Sequence, residues 1–283
     1  MPKQELLQNN VSFWLDDFPR PQRDDNKYTR GCALIYGGNI MTGAARLAAR
    51  AAQRIGAGLV TLVAPPEAVP IYAEALESVI VRSSHDQDDT WQTLLSDTKT
   101  DVILIGPGLG LSPSAKQKVL QALATTKPCV LDADALTNFS DHPSELISHL
   151  HSQCILTPHQ GEFDRLFGKQ IDKNAEKASR VKRAAELTGC VVLLKGADTI
   201  IATPAGHILL NNNGTSYLAT AGSGDVLAGM ILGLLAQGMP LFKATAAAAW
   251  LHGKIATDFG PGLIAEDIIS GIPATLKSML FTG

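Results

Sequence analysis

The chain has 283 residues, of which 45% are hydrophobic and 18% charged, which is enough apolar material for a large buried core. Its 24 Lys and Arg residues against 27 Asp and Glu residues give a formal net charge of −3. The basic residues are scattered and form no stripe that could neutralise a phosphate backbone, which argues against a nucleic-acid partner. We expect a single domain over residues 1–283, with residues 1–30 as a polar N-terminal arm.

The cysteines and the apolar stretches indicate a cytoplasmic protein without a membrane partner. The four cysteines are far apart and form no CxxC pair, and three lie in apolar runs, which is typical of small buried residues in a reducing compartment. The first ten residues are polar and lack the apolar segment of a signal peptide. The longest apolar stretch, around 226–236, is shorter than the ~20 residues that span a bilayer.

After the arm, short apolar runs alternate with glycine-rich turns and helical stretches. The runs predict strands that begin at Ala33 and Leu59, and further strands near 102–106, 128–132, 153–157 and 190–195. Helices are predicted at 43–56, 113–125, 143–150, 174–188, 224–237, 242–258 and 265–280. Apolar strands separated by helices predict an α/β fold of three layers, α/β/α, with a mainly parallel central sheet. Residues 199–210 contain a Pro-Ala-Gly turn and predict an antiparallel hairpin at one edge of the sheet.

In open parallel sheets, ligands bind beyond the carboxyl ends of the strands. Six segments of this chain follow predicted strands and contain glycines or reactive side chains: 37–45, 106–110, 131–136, 155–163, 191–199 and 212–225. Each segment is weak evidence by itself. Together they predict a functional site at the carboxyl ends of the strands of one sheet.

The segment Gly222-Ser223-Gly224-Asp225 opens a predicted helix. The first turn of a helix exposes unpaired N–H groups at the positive end of its dipole, so Gly222, Ser223 and Gly224 are predicted to form an anion hole for a phosphate. A carboxylate there would repel that phosphate. Asp225 therefore fits a catalytic base that takes a proton from a hydroxyl attacking a phosphoryl group, or it merely caps the helix.

Other strand ends add candidate residues, each with a structural alternative. Lys195 is predicted either to contact a diphosphate together with Thr199 or to be a solvated lysine. His159, placed just before a new helix, either faces a ligand or bonds the local backbone. Asp132 and Asp134 either hold a metal–water shell or cap a turn.

The glycines at 106–110 need separate treatment because they approach a dinucleotide-binding pattern. The third glycine, Gly110, comes one residue too early for GxGxxG. This spacing argues against a Rossmann-type oxidoreductase.

Taken in order, the motifs resemble those of the ADP-dependent NAD(P)H-hydrate dehydratase family, within the ribokinase-like superfamily. The most specific strings are LTPHQGEF at 156–163, LKGADT at 194–199 and LATAGSGDVLAG at 218–229, and the resemblance runs from about residue 27 to residue 280. It implies a ribokinase-like fold. It also implies ADP-driven dehydration of the S epimer of hydrated NADH or NADPH to NADH or NADPH, with release of AMP and phosphate.

The resemblance also implies roles for individual residues, with Asp225 as the catalytic base. The residues implied to contact the hydrate are Ala44, Gly108, His159 and Asp225. Those implied to contact the adenine nucleotide are Lys195, Gly196, Ala197, Asp198, Thr199 and Gly224. ADP as co-substrate and Mg²⁺ are expected from the family alone, since the sequence has no compact group of metal ligands.

Two features depart from the family. Its members often have His-Lys-Gly before the first strand, where this chain has NKYTRG at 26–31. Many also carry an N-terminal epimerase domain, for which 283 residues leave no room, so we expect any epimerase partner to be a separate protein.

Three questions stay open at the level of sequence. A ribokinase-like, ATP-dependent kinase of a small alcohol, of the thiamine-precursor type, shares the expected fold and base. An idle nucleotide-binding regulator is a further alternative, which the intact Asp225 disfavours. The alanine-rich helix at 244–251 packs either on the sheet or on another subunit, and we expect a homo-oligomer.

Overall fold

The computed structural model describes residues 6–85 and 90–281. Within these ranges ten β-strands form one sheet and eleven α-helices cover it. The strands, numbered in chain order, are β1 (Leu7–Gln8), β2 (Cys32–Tyr36), β3 (Leu59–Ala64), β4 (Ile80–Ser83), β5 (Val102–Ile105), β6 (Cys129–Leu131), β7 (Cys154–Leu156), β8 (Val191–Leu194), β9 (Thr199–Ala202) and β10 (Ile208–Asn211).

The helices are α1 (Thr42–Ile55), α2 (Val69–Ala75), α3 (Thr90–Ser96), α4 (Pro113–Leu123), α5 (Asp134–Thr137), α6 (Pro143–His149), α7 (Gln160–Phe167), α8 (Lys177–Thr188), α9 (Ser223–Ala236), α10 (Leu241–Phe259) and α11 (Ala265–Phe281). All seven predicted helices and all six predicted parallel strands are present, with ends shifted by a few residues. The sequence did not predict β1, β4, α2, α3 or α5.

The sheet has the strand order β1-β10-β9-β8-β7-β6-β5-β2-β3-β4. From β8 to β4 every neighbouring pair is parallel, whereas β9 is antiparallel to both β8 and β10. The predicted mainly parallel sheet and the predicted hairpin (β9 and β10) are confirmed. One detail differs, because the two-residue strand β1 pairs with β10 and takes the outermost position.

One face of the sheet is covered by α1, α2, α9, α10 and α11, and the other by α3 to α8, which gives the predicted three layers. Helices α1 and α9 pack with almost no space between their backbones. A Cβ at Gly229 would lie 2.2 Å from Ala48 O, and one at Gly233 would lie 2.5 Å from Ala52 O. The alanines of α1 and the glycines of α9 are therefore required by this close approach.

The arm is part of the folded structure, although its sequence is polar. The Trp14 side chain is fully buried, and its ring lies 5.8 Å from the ring of Trp250 on α10, between centroids. The alanine-rich stretch 244–251 of α10 is itself buried inside the chain almost throughout. Its composition therefore needs no subunit contact to explain it. None of the helices in the described ranges is long and apolar enough to cross a membrane.

Candidate active site

Three neighbouring strands bring a lysine, a threonine and an aspartate together at their carboxyl ends. Lys195 follows β8 and Asp132 follows β6, and Lys195 Nζ lies 2.7 Å from Asp132 Oδ1. Thr157 follows β7 between them, and its Oγ1 donates to Asp132 Oδ1 over 2.9 Å. The Asp132 side chain is only 2% exposed. The predicted convergence of these segments at one edge of the sheet is therefore confirmed.

Neighbouring groups keep the Lys195 amine protonated. Burial lowers the pKa of this ammonium, but the Asp132 carboxylate, by charge and hydrogen bond, raises it above its ordinary value. Lys195 is consequently a fixed cation in a mostly buried site. The alternative of a solvated strand-end lysine is wrong.

Asp225, the third residue of α9, lies among these charges. Burial first, and then the Asp132 carboxylate, raise its pKa from 3.8 to about 7, while the Lys195 ammonium partly opposes the shift. A base with a pKa near neutrality is well matched to proton abstraction at physiological pH. The competing role as a helix cap is not supported, since the N-cap residue is Gly222 and no side chain caps α9.

The turn before α9 is closely packed, and Ser223 N donates to Thr220 O over 3.4 Å. Gly222 adopts φ of +87°, and a Cβ there would lie 2.5 Å from the Leu47 side chain. Ser223 Oγ donates to Leu218 O over 2.8 Å and so fixes the turn from one side. A Cβ at Gly224 would lie 3.3 Å from Lys195 Nζ, so the first N–H groups of α9 and the Lys195 ammonium face a common space.

His159 is the N-cap of α7 and also lies at the edge of the site. Its Nδ1 accepts from Gly161 N (2.9 Å) and Glu162 N (3.3 Å), while Glu162 Oε2 accepts from His159 N (2.8 Å). This reciprocal capping box leaves more than half of the His159 side chain exposed. Burial raises the pKa of Glu162, against the effect of the Lys195 ammonium. The capping role is present, and the ring is also placed where it could meet a ligand.

The glycines that precede the site allow backbones to touch. A Cβ at Gly38 would lie 1.7 Å from Gly108 O, and one at Gly106 would lie 1.7 Å from Asp132 O. Gly106 and Gly108 therefore allow close backbone packing, and Gly108 lies against the loop that leads into α1. Ala44, in the first turn of α1, is buried behind that loop.

Between Asp132 and Asp134 the backbone is strained. Ala133 has φ of +47° and ψ of −116°, a conformation that residues with a side chain rarely adopt. The carboxylates on either side of Ala133 have different partners. Asp132 pairs with Lys195, whereas Asp134 Oδ2 accepts from Gly110 N over 2.8 Å and so fixes the glycine turn.

A cavity of about 400 Å³ opens beside Lys195 and the start of α9. It is lined by Lys195, Gly196, Ala197, Thr199, Gly214, Thr215, Ser216, Leu218, Ala219, Ser223, Gly224, Leu227 and His252. Most of the residues expected to contact the nucleotide are therefore in one wall. Asp198 does not line the cavity; its side chain is exposed, and its backbone carbonyl accepts from Lys177 Nζ. Gly222 is also outside the lining.

His252 also lines the cavity, and the sequence did not indicate it. It lies on α10, is 7% exposed, and its Nε2 donates to Ser223 O over 2.9 Å. Burial lowers its pKa to about 4, so the ring is neutral near pH 7. No sequence signal marks it, since a histidine in an apolar helix 27 residues after Asp225 has no motif around it.

The geometry can be compared with known proteins. Residues 32–272 match the family described as NAD(P)H-hydrate dehydratase, which covers more than half of the chain. The chain belongs to this family. The ADP-dependent (S)-NAD(P)H-hydrate dehydratase of Neisseria meningitidis serogroup B is 35% identical over 277 residues, which are 94% of this chain and 91% of that protein.

Longer proteins match as well. The Bifunctional NAD(P)H-hydrate repair enzyme Nnr of Salinibacter ruber is 37% identical over 271 residues, 90% of this chain and 50% of that protein. The chain thus spans about half the length of the bifunctional family members that it matches.

Solved structures of similar proteins agree in fold. A ribokinase-like superfamily protein of Enterococcus faecalis superposes with a TM-score of 0.84 at 27% identity, over 98% of both chains. The ADP/ATP-dependent NAD(P)H-hydrate dehydratase of Bacillus subtilis, co-crystallised with ATP and Mg²⁺, gives 0.82 at 30% identity, over 97% of this chain and 99% of the other. The predicted ribokinase-like fold is confirmed.

Proposed function

We propose that this protein dehydrates the S epimer of hydrated NADH and NADPH, using ADP and releasing AMP and phosphate. The observation that carries the proposal is Asp225, whose pKa is about 7, at the start of α9 beside the nucleotide-sized cavity. The name of the Neisseria meningitidis relative supports both the reaction and the donor. Such an activity is that of a metabolite-repair lyase.

The proposed reaction has two steps. The Asp225 carboxylate takes the proton of the ring hydroxyl, whose oxygen attacks the β-phosphorus of ADP, and AMP leaves. The N–H groups at Gly222, Ser223 and Gly224, together with the Lys195 ammonium, stabilise charge on the transferred group. The lone pair of the ring nitrogen then expels inorganic phosphate to leave a ring iminium, and loss of a proton from the neighbouring ring carbon to water restores the dihydronicotinamide.

Substrate contacts follow from the same arrangement. Ala44, Gly108, His159 and Asp225 are proposed to contact the hydrate. The nucleotide is proposed to lie in the cavity against Lys195, Gly196, Ala197, Thr199 and Gly224, with Asp198 contributing through its backbone at most, because its side chain points to solvent.

Mg²⁺ is proposed to enter with the nucleotide. Among residues 6–85 and 90–281, no three His, Cys, Asp or Glu side chains are grouped so that they could hold a metal ion. A site with so few protein ligands suits Mg²⁺, because this ion is usually held by phosphate oxygens, waters and one or two carboxylates. Glu162 is a carboxylate at hand, and the bound ion would neutralise phosphate charge.

Several properties of the whole protein belong to the same proposal. We expect it to work in the cytoplasm as a homo-oligomer. It would be supplied with the reactive epimer by an NAD(P)H-hydrate epimerase activity, and we expect no nucleic-acid or membrane partner.

The main alternative is an ATP-dependent kinase of a small alcohol, of the thiamine-precursor type, which would use the same base and anion hole. The family match and the dehydratase names among close relatives favour the dehydratase.

The test is recovery of the absorbance of reduced nicotinamide when purified protein meets hydrated NADH with ADP, ATP or no nucleotide. Recovery with ADP and not without nucleotide is the expected result. Recovery with ATP alone would keep the reaction and overturn the donor. Absence of recovery with either nucleotide, in protein that binds ADP, would overturn the dehydratase in favour of the kinase.

A further inference from the structure

The N-terminal arm reaches the nucleotide cavity through a row of three asparagines. Asn9 directly follows β1, Asn211 ends β10, and Asn213 lies two residues later. Asn9 Nδ2 donates to Asn211 Oδ1 over 2.8 Å, and Asn211 Nδ2 donates to Asn213 Oδ1 over 2.9 Å. We call these three residues the asparagine ladder.

Helix α10 fixes the direction of every amide in the ladder. Asn9 Nδ2 also donates to Ala246 O (2.8 Å), Asn211 Nδ2 to Ala249 O (3.3 Å), and Asn213 Nδ2 to Trp250 O (2.7 Å). Since a backbone carbonyl can only accept, each side chain must turn its nitrogen towards α10. The amides then follow one another donor to acceptor, from the arm to the loop.

The end of the ladder is held tightly. A Cβ at Gly253 would lie 2.3 Å from Asn213 Oδ1, so only a glycine on α10 allows the asparagine to approach. Thr257 Oγ1 donates to Asn213 O over 3.1 Å. The residues that follow Asn213, which are Gly214, Thr215 and Ser216, line the 400 Å³ cavity.

The ladder is also buried where it leaves the arm. Asn9 is 3% exposed and Asn211 is 5% exposed, and Asn9 N donates to Leu210 O over 2.8 Å. If the arm leaves, Asn211 Oδ1 loses its Asn9 donor at this buried position. An unpaired buried polar group is costly, so the loop would shift to find new partners.

We propose that the N-terminal arm is a positioning element of the nucleotide cavity, and that it acts through the asparagine ladder. The docked arm fixes Asn211, Asn211 fixes Asn213, and Asn213 fixes the wall formed by residues 214–216. Because coupling between two sites is reciprocal, a nucleotide that orders this wall also stabilises the docked arm. The proposal rests on the proposed function only in that it takes the cavity to bind ADP.

The first test is ADP affinity, measured by calorimetry without the hydrate, so that binding is separated from turnover. Asn9→Ala is expected to weaken ADP binding about tenfold, which is the scale of one or two hydrogen bonds, and to leave kcat at saturating ADP nearly unchanged. Ser12→Ala is the matched control in the arm, since Ser12 Oγ donates only to Asn10. Thr245→Val is the control for α10, because this buried hydroxyl bonds within its own helix.

The second test is hydrogen exchange of the arm by mass spectrometry. Saturating ADP is expected to slow exchange in the peptide that contains Asn9. Asn211→Asp keeps the oxygen that accepts from Asn9 but removes the nitrogen that donates to Asn213, so ADP should bind more weakly and no longer protect the arm.

The outcomes are separable. If the wild-type protein binds ADP, but Asn9→Ala binds it equally well and ADP leaves exchange of the arm unchanged, the ladder proposal is overturned and the proposed function stands. If the wild-type protein does not bind ADP, the proposed function falls, and the ladder proposal with it.

Discussion

The two ends of the same three strands, β6, β7 and β8, have opposite chemistry. At the amino ends lie Cys129, Cys154 and Cys190, all fully buried, with Cys129 and Cys154 directly opposite each other. At the carboxyl ends lie Asp132, Thr157 and Lys195, where a carboxylate and an ammonium form an ion pair in a mostly buried site.

The difference shows where this fold tolerates unfavourable groups. The thiols at the amino ends are small and buried, and Cys190 Sγ donates to the Thr188 carbonyl over 3.2 Å. Burial raises the pKa of Cys129 well above its ordinary value, so this thiol stays neutral. Buried charges at the carboxyl ends are costly unless they are paired. Such groups, together with the strained Ala133, concentrate at one edge of the sheet, which is the edge that the proposed reaction uses.

Asp132→Asn, at the carboxyl ends of these strands, is expected to have the largest effect on stability and turnover. The change leaves Lys195 without its 2.7 Å partner, so stability should fall by about 3 kcal/mol, as when a buried pair is broken on one side. Turnover should fall about a hundredfold, because Lys195 is no longer held against the anion hole. Chemical denaturation and steady-state kinetics measure the two effects.

Asp132→Asn has an independent signature in the pH profile. The Asp132 carboxylate is one of the groups that raise the pKa of Asp225, so its removal should move the rise in kcat/KM to lower pH. A profile that keeps its midpoint would show that the two carboxylates do not interact.

The second prediction concerns pH in the wild-type protein. With the pKa of Asp225 at about 7, the base is protonated in acid, so kcat/KM should rise about tenfold per pH unit up to neutrality and then level off. Stability should move the other way. The folded-state pKa lies above the ordinary 3.8, so the folded protein binds more protons between these values, and this group's contribution to stability is lost as pH rises from about 4 to 7.

A variant separates the two effects of Asp225. Asp225→Asn should be more stable than the wild type above neutrality, on the order of 2 kcal/mol after allowance for solvent screening, because it buries no charge. Thermal melts of both proteins at acid and neutral pH measure this. A melting difference that is the same at both values would contradict the raised pKa.

The smallest functional effect is expected at the amino ends. Cys154→Ala removes a buried thiol and leaves a small cavity, which should cost about 1–2 kcal/mol of stability. kcat and KM should equal those of the wild type at temperatures where both proteins are folded. A change in kcat/KM comparable to that of Asp132→Asn would break the contrast between the two ends.

The sequence predicted the layers and the edge of the sheet that holds the site, because both follow from local patterns. Apolar runs indicate the parallel strands, and glycine turns indicate their carboxyl ends. Lys195 directly follows such a run, and Asp225 directly follows such a turn. The ion pair between Lys195 and Asp132 was not predicted, since it joins positions 63 residues apart.

The missed features depend on tertiary contacts. Strand β1 has only two residues and is defined by its partner β10, so no periodicity could indicate it. The arm looked like a polar lead-in because the burial of Trp14 depends on Trp250 far along the chain. His252 contacts Ser223, on another helix, and a linear motif cannot indicate such a contact.

The central claim is that Asp225 is the base that starts a nucleotide-driven dehydration. The most direct test compares Asp225→Asn with the wild type in one reaction of ADP and hydrated NADH, measuring AMP, phosphate and reduced nicotinamide together. The wild type should form all three in equal amounts, whereas Asp225→Asn should form none above background and still bind AMP. Near-normal formation of the three products by Asp225→Asn would contradict the account.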